Sequence, residues 1–506
     1  MTKSQTSIAT HYHERTKYAP QTIAGKNRNL DWASQPQPYK EYKIGTHFDL
    51  KPYLPAQGND PAVREWRRLS QFLLCSYGVT AKLPTLYGPP LYLRAAPSAG
   101  GLYPGEIYLL SRGTQQLPPG LYNYQVRTHS LLQFWSSDVW PQLQGACFFH
   151  PALAVAELAL VATAVFFRSA WRYEDRAYRR VCLDTGHLLG NLELAGAIAG
   201  YRPCAIGGFA DAAVNELLYL DLEQEGAMAV IPLLEPGQQD NKEAWTTALP
   251  SQMLTDIEPV DDGELLGYFH WATRIEASEE APTLAATPCR EDKYNFPFCL
   301  KVSTKTTPID CGPHLSVLEK TLLRRRSTRA YSGEDLTLDE LNWLLHFTYQ
   351  FRDYAPQQLD GSPDFFALDW LETFVAVSGV AGLEAGCYYY APKAQELRQI
   401  RFKNFRRELH YLCLGQELGR DAAAVVFHTA DLPKAVAQFG DRVYRYLHLD
   451  AGHLGQRLNL AAIHLGLGAS GIGGFFDDQV NEVLGIPADE AVIYITTLGR
   501  PRQDIP

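Results

Sequence analysis

Two long stretches of the chain, residues 178–200 and 444–466, carry apolar side chains on more than one face when read at helical spacing. A helix that is apolar all round is a buried helix, so each stretch predicts a long helix at the centre of a domain. Each is followed by a Gly-Gly loop and a β-type run, at 227–233 (AMAVIPL) and 491–498 (AVIYITTL). Upstream of each lies an amphipathic helix, around Leu69 and Leu341, and a strand opening EIYL at Glu106 or ETFV at Glu372. The pattern therefore predicts one order twice: helices, strand, hairpin, strand, long buried helix, loop, strand. That order is an α+β unit. The most apolar window, 151–167, contains Glu157. It falls short of the ~20 residues that span a bilayer and predicts a helix end running into a buried strand.

The two patterns are copies. The 44 residues from Asp175 match the 44 from Asp441 at a constant offset of 266, with 22 identities and no gap. Tyr178 pairs with Tyr444, Asp184 with Asp450, His187 with His453, Gly208 with Gly474 and Asn215 with Asn481. This is a tandem duplication, and the two buried helices facing each other make the natural core of an intramolecular pseudo-dimer. The boundaries read as a first half over 1–236, a linker over 237–312 with an amphipathic segment near 265–275, and a second half over 313–506.

Composition narrows the function. A chain of 506 residues exceeds the size at which one core keeps growing. A formal charge of −10 argues against nucleic-acid binding, which needs a basic surface. The nine cysteines show no CxxC spacing, which argues against zinc sites and disulfide frameworks and for a reducing, cytoplasmic setting. No HExxH pair suggests a metal, and the N-terminus lacks the apolar core of a signal peptide. No membrane partner is expected.

The chemistry is expected where the halves differ. RRRSTRAY at 324–331 sets four arginines and a serine just before a helix. Guanidinium groups hold phosphate bidentately, and a serine adds a hydrogen bond. The corresponding first-half positions of Arg325, Ser327 and Arg329 hold Tyr53, Pro55 and Gln57. Near the chain end Arg500 stands against Glu235, a charge reversal. The reverse asymmetry is PSAGGLYP at 97–104, whose adjacent glycines let backbone approach a flat ligand. Its counterpart, PDFFALDW at 363–370, would fill such a cleft with aromatics. Gly473 and Gly474 have counterparts in the first half and are as consistent with a turn as with a ligand contact. His187 and His453, repeated in both buried helices, read as structural.

These motifs resemble the nitroreductase superfamily, in which FMN lies between two subunits. RRSTRAY resembles its arginine-serine phosphate motif, and PSAGGLYP resembles its Pro-Ser segment. The resemblance implies the nitroreductase fold and one FMN per chain between the halves. Arg325, Arg326, Ser327, Arg329, Gly473, Gly474 and Arg500 would come from the second half, and Pro97, Ser98, Ala99 and Gly100 from the first. PSAGGLYP, the GLYNY hairpin at 120–124 and WRYEDRAYR at 171–179, followed by DTGH at 184–187, are similar to the SagB-type dehydrogenases, among them the cyanobactin oxidases. That resemblance implies oxidation of thiazolines or oxazolines to azoles in a ribosomally made peptide, alongside other enzymes of the same pathway. It implies a catalytic pair at Arg172 and Tyr173, where the family carries lysine and tyrosine. Arginine stays protonated, so Arg172 cannot be the base. Tyr173 could be, with its pKa lowered by the adjacent guanidinium. Two other readings stay open: an NAD(P)H-dependent nitro- or quinone reductase, and a non-catalytic scaffold for a peptide or partner enzyme. Further homodimerisation is also open.

Overall fold

The computed structural model describes residues 6–24, 30–55, 60–85, 90–235, 247–278 and 291–502, besides positions 237, 280 and 282. The described residues form two seven-stranded antiparallel sheets, besides two two-stranded pairings, one of them Val79–Leu83 with Leu91–Arg94. The first contains β1 (Thr46–Asp49), β2 (Gly105–Ser111), β3 (Gly120–Gln125), β4 (Ser130–Trp135), β5 (Leu158–Val165), β6 (Arg202–Pro203) and β7 (Glu225–Leu234). Its spatial order is β1-β4-β3-β2-β5-β7-β6. The second contains β8 (Lys301–Ser303), β9 (Glu372–Val377), β10 (Gly386–Ala391), β11 (Glu396–Phe402), β12 (Ala424–Asp431), β13 (Gly468–Ile472) and β14 (Glu490–Gly499). Its order, β8-β11-β10-β9-β12-β14-β13, repeats the first strand for strand.

The principal helices pair in the same way. They are α1 (Ile8–Arg15), α2 (Pro61–Tyr77), α3 (Phe166–Tyr173) and α4 (Ala177–Ala199), then α5 (Leu265–Ala272), α6 (Leu338–Tyr349), α7 (Leu432–Phe439) and α8 (Val443–His464). The chain is thus α+β and duplicated in tandem, the arrangement that the resemblance implies. The apolar window resolves as expected, a short helix Pro151–Val155 leading into β5. No helix among the described residues is long and apolar enough to cross a membrane.

The long helices α4 and α8 form the seam. They are buried along almost all of their length, which is why their sequences lack a polar face. They meet at glycine: a Cβ on Gly186 would lie 2.1 Å from the Leu449 carbonyl oxygen, and one on Gly452 would lie 2.3 Å from that of Leu183. Around this contact the halves exchange buried ion pairs. Arg176 and Arg179 of the first half reach Asp477 at 2.8 and 2.7 Å, and Arg442 and Arg445 of the second reach Asp211 at 2.6 and 2.7 Å. Such pairs fix the mutual orientation of the halves more than they add net stability.

The segment between the halves repeats the N-terminal arm. Arg179 donates to the carbonyl of His13 in α1 and to the Thr16 hydroxyl. Arg445 makes the same bonds to His270 in α5 and to Thr273. The helix within residues 237–312 is thus the second copy of α1. This equivalence is hard to see in sequence, because the arms share little beyond a His and a Thr three residues on.

Candidate active site

The Pro97–Gly100 segment lies between β2 and the helical seam. Its conformation depends on glycine, since Gly100 has φ 65°, a region that other residues enter at a cost. It is held by Asp184 of α4, whose carboxylate accepts from the Ser98 hydroxyl at 2.5 Å and from the Ala99 amide at 3.1 Å. Burial pushes the Asp184 carboxyl up to about 7, against the pull of those two bonds and of Arg180. Its copy Asp450 does the same for the amides of Phe366 and Ala367. The repeated aspartate is therefore a backbone clamp, and what it clamps differs between the halves.

Opposite this segment the second half supplies Ser327, Arg329, Gly471 and Gly473. These line one cleft with Pro97, Ser98, Ala99 and Gly100, over a floor of Arg180, Asp184, His187 and Tyr494. The two retained pieces, far apart in sequence, face each other across the seam. In the other half the aromatics occupy the equivalent place: Phe365 stacks on His453 with centroids 4.3 Å apart.

The remaining arginines sit differently. Arg325 is buried and donates to the carbonyls of Ala95 and Arg94 at 2.6 and 3.0 Å, bracing the strand that leads into the Pro97 segment. Its Nη1 is buried without a partner among the described residues, as is Nη1 of Arg180. Burial lowers Arg325 to about 10, and Arg326 and Arg329 push the same way. Arg326 turns to Thr80 of the first half. Arg500 reaches the Glu340 carboxylate at 2.9 Å and the Asp335 carbonyl. None of Arg325, Arg326 and Arg500 is among the residues that line the cleft. Gly474 packs beside Leu414 and Arg180.

Arg172 and Tyr173, at the end of α3, stand beside the Pro97 segment: a Cβ on Gly100 would lie 2.8 Å from the Tyr173 hydroxyl and 3.5 Å from Arg172 Nη1. The guanidinium of Arg180 lies 3.8 Å above the Tyr173 ring. The expected lowering of this tyrosine is not what the environment produces. Burial raises its pKa above the ordinary value and outweighs Arg180 and Arg172.

Arg180 and Tyr494 escaped the sequence reading. Arg180 has a usable signal, since its copy is Tyr446. Tyr494 has a fainter one, since the offset between the halves drops from 266 in the long helices to 265 in the last strand, as Arg500 against Glu235 already shows. The paired strands set Tyr494 against His428 and Ala229 against Ala162, so its true counterpart is Ala229, one residue off the constant offset.

These residues fit FMN. The buried Arg180 Nη1, in a residue that lines the cleft and without a partner among the described residues, calls for an acceptor, since such a donor is costly to leave unmet. Arg329 and Ser327 add donors, and Gly100, Gly471 and Gly473 leave room for close approach.

A profile described as Nitroreductase family matches residues 69–233 and 322–500, one segment in each half. A crystal structure of a nitroreductase-like protein from Anabaena variabilis is 67% identical, with a TM-score of 0.93, covering 98% of this chain and 100% of its own. The nitroreductase-like protein MJ1384 of Methanocaldococcus jannaschii is 34% identical over 169 residues, 33% of this chain and 84% of its own length. The trifolitoxin-processing protein TfxB of Rhizobium leguminosarum bv. trifolii is 32% identical over 166 residues, 31% of this chain and 44% of its own length.

Proposed function

The chain belongs to the nitroreductase family, and from that membership we propose that it is an FMN-dependent dehydrogenase that oxidises thiazoline or oxazoline rings to azoles in a ribosomally made peptide. The supporting observation is the cleft itself, with the Pro97–Gly100 segment of one half set against Ser327 and Arg329 of the other. The PSAGGLYP and WRYEDRAYR motifs favour the SagB-type chemistry, with the cyanobactin oxidases as the branch proposed. The relative named for processing trifolitoxin adds a peptide context, and other enzymes of the same pathway are the proposed partners in the cytoplasm.

FMN, when bound, supplies a two-electron acceptor. Oxidising an azoline removes two hydrogens across a C–C bond, one as hydride and one as a proton. The proton on the carbon beside the peptide carbonyl is the acidic one, and a positioned base speeds its loss. We assign that task to Tyr173. Burial disfavours the phenolate and the guanidinium groups of Arg180 and Arg172 favour it, so turnover rises with pH toward a tyrosine pKa above its ordinary value of 10. Arg172 places a positive charge beside it. Arg325 keeps the two halves in register at the cleft, and Asp184 holds the Pro97 segment.

The test is a single-turnover experiment without oxygen. The FMN-loaded protein is mixed with an azoline-containing peptide, and the visible absorbance and the peptide mass are followed. The proposal expects bleaching and a peptide lighter by two hydrogens. Bleaching by NADPH with an unaltered peptide would replace it with the nitro- or quinone-reductase reading.

A further inference from the structure

The floor of the cleft carries a hydrogen-bond chain that crosses both halves, and its direction can be worked out. It starts at the carbonyl of Ser76, one of the last carbonyls of α2, where a helix leaves acceptors unmet. Asn191 Nδ2 donates to it at 3.0 Å. A carbonyl only accepts, so the Asn191 nitrogen faces it and Oδ1 faces away. Gln456 Nε2 donates to that Oδ1 at 2.6 Å. This turns Gln456 Oε1 toward His187 Nδ1, 2.9 Å away. An amide oxygen only accepts, so His187 carries its proton on Nδ1. Burial draws the His187 pKa down to about 4, and Arg325 and His453 add to the effect. The ring is therefore neutral near pH 7, and its Nε2 is a bare lone pair. Tyr494 Oη lies 2.8 Å from that nitrogen and gives it its only proton. What the Tyr494 oxygen has left is acceptor capacity alone.

That oxygen is presented to the cleft through Gly471. A Cβ at 471 would sit 1.8 Å from it, so any other residue there would cover the hydroxyl. Gly471 is exposed and lines the cleft together with Tyr494. The other half has no such device. Its counterpart of Tyr494 is Ala229, and its His453 is taken by Glu193 at 2.7 Å.

We propose that Tyr494, oriented by His187, is a specificity residue that receives an N–H or O–H donor of the bound ligand over Gly471. Resting on the FMN reading above, the donor is the imide N–H of the isoalloxazine or a hydroxyl of the ribityl chain. His187 is a positioning residue, acting only through the tyrosine.

The experiment measures the equilibrium affinity of the flavin-stripped full chain for FMN, for N3-methyl-FMN and for FMN analogues lacking one ribityl hydroxyl. Tyr494→Phe is expected to weaken FMN roughly ten-fold, the factor carried by one unpaired buried donor. For the analogue that lacks the donor concerned, parent and variant should bind alike. His187→Leu keeps the hydroxyl but frees its proton, so discrimination between FMN and that analogue should fall. It carries the same comparison if Tyr494→Phe does not fold. The proposal is overturned if Tyr494→Phe binds FMN as tightly as the parent, or if its loss is the same for every analogue as for FMN. A parent chain that binds none of these ligands would instead remove the FMN reading beneath it.

Discussion

Replacing Gly186 by alanine should destabilise the protein, although the same change inside a helix ordinarily stabilises it. The helix-propensity gain is about 1 kcal/mol. Against it stands the seam. The new Cβ would lie 2.1 Å from the Leu449 carbonyl oxygen and 2.9 Å from the Gly452 Cα. Comfortable non-bonded separations are about 3.5 Å, so the helices must part by roughly 1 Å. The obstructing atoms are backbone of a buried helix rather than a mobile side-chain tip. Overpacking of this kind costs about 1–3 kcal/mol or more, and the buried Arg–Asp pairs on either side resist the shift. The net expectation is a loss of up to about 2 kcal/mol. Gly452→Ala should behave alike, because its Cβ would meet the Leu183 carbonyl at 2.3 Å. Gly267→Ala in α5, with no atom within 4 Å of the new Cβ, is the control and should be neutral or stabilising. Urea midpoints read all three. Flavin retention gives a second readout, since Leu183, Asp184 and His187 flank the contact and line the cleft. If Gly186→Ala and Gly452→Ala are as stable as Gly267→Ala, the close seam is not what holds the halves together.

Three further outcomes are expected. Arg325→Ala and Ser98→Trp, in different halves, should each cost most of the bound flavin, read from absorbance after gel filtration; full retention by both would refute a site shared across the seam. Tyr173→Phe should retain flavin but lose turnover, and the parent's kcat/KM should keep rising with pH through the alkaline range; normal turnover by the Phe variant would remove the assignment. Burial raises Asp450 from its ordinary 3.8 to about 7 in the folded chain. A carboxyl raised on folding contributes most at low pH and loses that contribution as pH climbs through the folded value, by up to about 4 kcal/mol. Asp450→Asn keeps an acceptor for the Phe366 and Ala367 amides, so its stability relative to the parent should improve between pH 4.5 and 7.5. An unchanged difference in urea midpoint across that range would show that Asp450 does not titrate there.

The duplication was legible because buried helices repeat almost residue for residue. Their surroundings in the interior are copied too, which is why the order of elements along each half and the α+β class followed from pattern. The cleft was legible through inequality: PSAGGLYP against PDFFALDW and RRSTRAY against a non-basic stretch single out residues that now face each other. Arg326 and Arg500 show the limit of that argument. A basic run identifies a place, but the fold decides which guanidinium turns inward, and these two are taken up by Thr80 and Glu340. The direction of the Tyr173 shift failed for a related reason. Adjacent charge can be read from sequence, whereas burial, which dominates here, cannot. Tyr494 was easy to miss because the offset between the halves drops from 266 to 265 ahead of the last strand, and the paired strands confirm Ala229 as its counterpart.

The proposed FMN site is a single one, built by two unequal halves. Its most direct measurement is the flavin released per chain from the purified protein reconstituted with FMN. One FMN per chain is expected, lost in Ser98→Trp as fully as in Arg325→Ala. Two per chain would contradict the asymmetry of the halves, and none would contradict the site.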